Sequence, residues 1–226
     1  MLSISSTIEW QSAHPGATIG LLELSGVNNA RPFPQLEGRK RAIEADLRTR
    51  YRDFTRPDFL ALPVMAAYAS YYKRFDKTYH VLLQLESLVL KGKNLPDVSP
   101  LVDANFMAEV ETLVLTAGHD IAKLQEPIAI DVSREGEHMI QMNGTSKAIR
   151  AGDMIMRDAN AISCSILYGQ DDRSPISPAT THVLYVAYAP VDVPKEAVQA
   201  QLRKIEEYVR ICSPAAVLEQ RRLISA

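Results

Sequence analysis

The chain has 226 residues, 46% of them hydrophobic and 23% charged, which is enough to bury a sizeable core and excludes a disordered or low-complexity polymer. With 25 Lys and Arg against 27 Asp and Glu the formal net charge is -2, so no global field draws the protein to nucleic acid and any phosphate contact has to be local.

Residues 3–10 and 17–25 alternate as two strands around AHPGA, where Pro15 and Gly16 signal a turn. From about Leu36 the period becomes helical. EGRKRAIEADLRTRYRD reads as a polar helix, PDFLALPVMAAYASYYKRF as a more apolar one with a kink at Pro63, and TYHVLLQLESLVLKG as a third, with Leu82, Leu85, Leu88 and Val89 on one face. A fourth helix starts from Ser99 as N-cap with Pro100 in its first turn and runs to TAGHD. The period then falls to two, in PIAIDVS, HMIQMNG, GDMIMRD, ISCSILYG and HVLYVAYAP. PKEAVQAQLRKIEEYVRIC closes the pattern as an amphipathic helix with Val198, Leu202, Ile205 and Val209 on one stripe. Strands, helices, strands and a helix in that order predict an α+β fold, with helices packed on an antiparallel β core.

Cys164 and Cys212 fit no metal spacing and no CxxC pair, and read as small apolar core residues with reduced thiols. MLSISSTIEW lacks a basic segment followed by an apolar run, and the longest uncharged run, 59–72, is too short for a bilayer. A cytoplasmic protein without membrane contact is expected. No Ser/His/Asp order, metal cluster or phosphate-binding glycine loop is apparent, so neither a metal nor another cofactor is expected.

Four ordered blocks carry a resemblance: LVLKGKNLPDVSPLVDANF (88–106), AGHDIAKL (117–124), GDMIMRD (152–158), and SCSILYGQDDRSPIS with TTHVLYV after it. Together they resemble the B3/B4 domain of the phenylalanyl-tRNA synthetase beta subunit and the free-standing proteins made of that domain, over about residues 66–190. The resemblance implies a barrel-like core, a single domain over 1–226 with the two flanks as extensions, an amino-acid pocket, and a tRNA or aminoacyl-tRNA 3′ end as partner. DNA is not expected. Two function classes follow: a trans-editing deacylase that hydrolyses the ester of mischarged tRNA, and a non-catalytic amino-acid or small-molecule binding module.

The same resemblance nominates the pocket residues Asn105, Ala117, Ser163, Ser165, Gly169 and Val186. Where the synthetase pattern has a pocket glutamate and histidine this chain has Val186 and Ala117, which implies a pocket for an apolar or small side chain rather than tyrosine. Asn105 falls where the pattern has threonine and keeps a donor and an acceptor there. Ser163 and Ser165 share one strand face, which either meets a ligand or faces solvent. Arg173 either clamps an anion or pairs with Asp171 or Asp172. Lys91 and Lys93 either contact tRNA phosphates or complement a helix C-terminus. His119 is expected to be partly exposed at a helix end.

Overall fold

A computed structural model describes residues 2–30 and 32–226. Its central strand is β2 (Thr18–Ser25), buried along all but its last residue. Antiparallel neighbours flank it on both edges, β10 (His182–Ala189) on one side and β11 (Val217–Ser225) on the other. β3 (Thr116–Asp120) adds beyond β10. The closing helix α7 (Lys195–Cys212) packs on this sheet, and its predicted stripe of Val198, Leu202, Ile205 and Val209 is buried. The approach is tight at Gly20, where a Cβ would stand 2.6 Å from a Val198 methyl. A side chain there would force helix and sheet apart.

A second sheet runs in the order β1 (Ile4–Ser6), β4 (Ile128–Val132), β7 (Met154–Arg157), β8 (Ile162–Ser165), β9 (Gly169–Gln170). β1 joins β4 in parallel and the remaining pairs are antiparallel. A hairpin of β5 (His138–Ile140) and β6 (Ser146–Ala148) stands apart. The remaining helices are α1 (Ile8–Ala13), α2 (Pro34–Arg50), α3 (Arg56–Leu60), α4 (Pro63–Lys73), α5 (His80–Val89) and α6 (Pro100–Thr112).

The α+β class is as expected, but the barrel-like core is not. The two larger sheets stay open, ending at β11 and β3 and at β1 and β9. Three local expectations also change. The expected first strand stops at Ser6 because the Thr7 hydroxyl accepts from Trp10 N–H at 3.1 Å and starts α1. Pro63 separates α3 from α4 rather than bending one helix, since Leu62 before it is held extended. TAGHD is strand β3 and not a helix end, because α6 terminates at Leu113 in a left-handed conformation, φ 65°.

Tyrosines pin the turns around that end. Tyr79 OH donates to Leu113 O at 2.9 Å, and Tyr68 OH donates to Tyr188 O at 2.6 Å while accepting from Leu115 N–H at 3.0 Å. The two rings stack, 4.2 Å apart and 3° from parallel. Tyr72 OH reaches Ile166 O at 2.5 Å, and Tyr71 OH donates to Asp153 at 2.7 Å. These hydroxyls, read in sequence only as part of apolar helices, fix the backbone of both sheets against α4 and α5.

The start of α6 is held by a buried charge. Lys40 of α2 is fully buried and bonds Asp103 Oδ2 at 2.9 Å, Pro96 O at 2.9 Å and the Asp97 carboxylate. Asp103 also accepts from Val98 N–H at 2.9 Å. With both charges desolvated, Asp103 depends on Lys40, and Lys40 on the two carboxylates of Asp103 and Asp97.

Candidate functional site: a cavity between α5, α6 and the sheet edges

One face of α6 presents Val102, Asn105, Phe106 and Glu109, the i, i+3, i+4, i+7 set of a single helical stripe. Opposite it lie His80 and Gln84 of α5, residues 116–118 of β3, Cys164 and Ser165 of β8, and the turn containing Gly169. Together they enclose a cavity of about 400 Å³. Its walls are largely apolar, and the exposed side chains of Val98 and Met142 stand at its edge.

Gly169 has φ +82°, a left-handed turn that a side-chain-bearing residue disfavours, and it closes the three-residue loop between paired Ser165 and Gly169. That loop turns the backbone of β8 back along the cavity. Ser165 Oγ makes a short hydrogen bond to Asp153 and accepts from Tyr168 N–H at 3.2 Å. Burial pushes the Asp153 carboxyl up to about 7. A hydroxyl bonded to a carboxyl that titrates near neutrality is an arrangement able to pass a proton.

Three buried polar atoms of cavity-lining residues have no hydrogen-bond partner among the described residues: Asn105 Oδ1, Gln84 Oε1 and the Tyr188 hydroxyl. The Asn105 amide is oriented because its Nδ2 donates to Thr116 O at 2.8 Å. One turn on, Glu109 is buried and its Oε1 accepts from Thr116 N–H at 2.8 Å. Burial without a neighbouring cation pushes its carboxyl up to about 8. Burial likewise lowers His80 to about 4, so its ring is neutral. Among the described residues lining the cavity there is no Lys or Arg.

Of the six pocket nominations, Asn105, Ala117, Ser165 and Gly169 line this cavity and Ser163 and Val186 do not. Ser163 is buried and its hydroxyl donates to Met156 O at 3.1 Å, beside the register shift where β8 opposes β7. Val186 sits between Leu21 and Ala117 in the middle of its sheet. Tyr188, two residues further on the same strand face, borders the cavity instead. Solvent does not meet the β8 serines, since every residue of that strand is buried.

The charged nominations also resolve. Arg173 bonds Asp158 at 3.1 Å and Asp171 at 2.9 Å, which leaves it as a local ion pair and not a free anion clamp. Lys91 and Lys93 are exposed and outside the cavity wall, and the end of α5 is served by Arg48, which donates to Leu88 O at 3.2 Å and Lys93 O at 2.9 Å. His119 is fully buried, within 2.8 Å of Ser174 Oγ, and burial lowers it to about 3. Glu109, Gln84 and Tyr188 were not anticipated. The i+4 spacing from Asn105 was the available signal for Glu109.

A different set of cations gathers near the cavity turn. Lys77 lies 4.4 Å and Lys147 5.4 Å from the ring centre of Tyr168, which precedes Gly169. Burial and the nearby charges of Lys147 and Arg150 lower the Lys77 ammonium from its usual value. No helix among the described residues is long and apolar enough to cross a membrane.

The sequence pattern of the B3/4 domain family matches residues 64–211. In structure the chain is similar to an N-terminal fragment of the phenylalanyl-tRNA synthetase beta subunit from Pyrococcus horikoshii, with TM-score 0.46 and 7% identity, covering 99% of this chain. It spans about half, 52%, of that fragment. No protein with a curated description matches it in sequence.

Proposed function

The chain belongs to the B3/4 domain family, and on that premise we propose that its cavity receives the amino-acid moiety of an aminoacyl ester carried on a tRNA 3′ end. The observation that carries this reading is the combination of an apolar wall with the lack of any Lys or Arg among the described lining residues. A free amino acid would bring a carboxylate into that space with no cation to meet it, at a cost of several kcal/mol for an unpaired buried charge. An ester has no such charge.

The apolar lining from Val102, Phe106, Ile166 and Ile176 favours an aliphatic or phenyl side chain. Lys77 and Lys147 replace Lys91, Lys93 and Arg173 as the favoured phosphate contacts, because both lie against the Tyr168 ring and a polyanion would relieve their mutual repulsion. In the deacylase reading Asp153 takes a proton through Ser165 from the water whose oxygen bonds the ester carbonyl carbon; the bond from that carbon to O3′ then breaks, the 3′ oxygen takes the proton back through Ser165, and the freed acid loses its own proton to solvent. The binding-module reading is favoured by the same Ser165 bond, since a hydroxyl held by both Asp153 and Tyr168 N–H also serves as plain scaffold.

A panel of aminoacyl-tRNAs, incubated with wild type and with Asp153→Asn, tests both. Release of an aliphatic or phenylalanyl residue that is lost in the variant supports the deacylase. Binding of the panel without release selects the module. Tighter binding of free amino acids than of their esters would remove the proposal.

A further inference from the structure

Resting on the cavity reading above, we infer that Glu109 and Asn105 form a receptor for the ligand's ammonium group. Both lie on the cavity face of α6, and both are buried, Asn105 to 7% exposure and Glu109 to 2%. The Asn105 amide nitrogen donates to Thr116 O and its side chain lies against Glu109, while its oxygen has no partner among the described residues. Glu109 keeps one oxygen on Thr116 N–H. The wall therefore offers acceptors at this point, with the unpartnered Gln84 amide oxygen as a third. The Asn105 and Gln84 oxygens, with the Glu109 carboxylate once its proton has left, fit a group that only donates, and an ammonium is such a group.

Charge makes the choice sharper. Among the described residues no cation stands ready for Glu109: Lys40 of the packed helix α2 is taken by Asp103 and Asp97, and Lys204 of α7 by Glu111 at 3.3 Å. The ionisable groups around it are the phenols of Tyr68, Tyr72, Tyr79 and Tyr188, the His80 imidazole and the Cys164 thiol, and all are neutral at pH 7. Burial beside neutral groups accordingly holds Glu109 as the acid. An arriving ammonium exchanges with that proton: the carboxyl O–H bond breaks, the proton leaves to buffer, and the carboxylate pairs with the ammonium. A neutral hydroxyl would not drive the exchange.

Calorimetry and amide NMR on the full chain at pH 7, with L-leucinamide, L-phenylalaninamide, L-tyrosinamide and their N-acetyl forms, test this. The inference expects N-acetylation to weaken binding tenfold or more, a proton to be released in a buffer-dependent heat, and Glu109→Gln to lose both effects. N-acetyl amides that bind as well as free amines overturn the inference while leaving the cavity reading intact, and this comparison needs no variant. A preference for tyrosinamide that survives N-acetylation reassigns Glu109 to a hydroxyl and also overturns it. Failure of every amide to shift cavity amides removes the cavity reading and the inference with it.

Discussion

Two stretches of α6 treat buried polar groups in opposite ways. In its first turn Asp103 meets Lys40 and Val98 N–H, a closed arrangement with charge against charge. Further along, among the described residues Asn105 Oδ1 has no partner and Glu109 no cation. The first arrangement holds helices together, and the second leaves free energy to be recovered when something binds. Asp103 is thus scaffold, and so is Asp120, which accepts from Thr180 Oγ1 at 2.8 Å and Ala122 N–H at 3.1 Å.

The largest expected effect lies in the closed region. Asp103→Ala combined with Asp97→Ala removes both carboxylates from Lys40, strands its ammonium in the interior and should cost about 3–5 kcal/mol in urea unfolding. A loss below about 1 kcal/mol would show that water reaches Lys40 and that the two regions differ less than described.

Next is the pH dependence of the open region. Glu109 in the folded chain keeps its proton up to about 8, against an ordinary value near 4.5. The native state therefore binds the extra proton between those limits, and stability falls as pH rises from about 4.5 through 8. Asp153, raised to about 7, adds a slope of the same sign. Glu109→Gln should flatten part of the decline, on the order of a few kcal/mol by pH 9. Unfolding curves with the same pH slope in both proteins would reject a buried acid at this position.

Removing one pinning hydroxyl sits lower. Tyr68→Phe leaves Leu115 N–H and Tyr188 O short of a partner, and should cost about 1–3 kcal/mol with the fold retained. The smallest change concerns RNA. Lys77→Ala with Lys147→Ala should reduce the slope of log affinity against log salt by about one per lost contact, while Lys91→Ala with Lys93→Ala should leave it nearly unchanged. The reverse result in filter binding would return the phosphate contacts to the end of α5.

Periodicity made most of the fold legible in sequence. The stripe on α7 and the alternation in HVLYVAYAP are strong local signals, and both elements stand where expected. β11 was not seen because VLEQRRLIS is charged and half-exposed, which suits an edge strand but breaks alternation. TAGHD lacks the apolar repeat of a strand, and its conformation is set by pairing to β10. For the site, the blocks brought Asn105, Ala117, Ser165 and Gly169 to one cavity, whereas face and depth misplaced Ser163 and Val186. A bulge redirected the first, and a central position in the sheet enclosed the second.

Mapping backbone amide shifts with 3′-phenylalanylamido-adenosine, a non-hydrolysable stand-in for the charged tRNA end, decides whether the α6 cavity takes an esterified amino acid. Shifts centred on Asn105, Thr116, Gly118 and Gly169, and weaker shifts with adenosine alone, are expected. Shifts centred instead on Arg203 and Arg222, which line a separate polar cleft at α7 and β11, or none at saturating ligand, would contradict it.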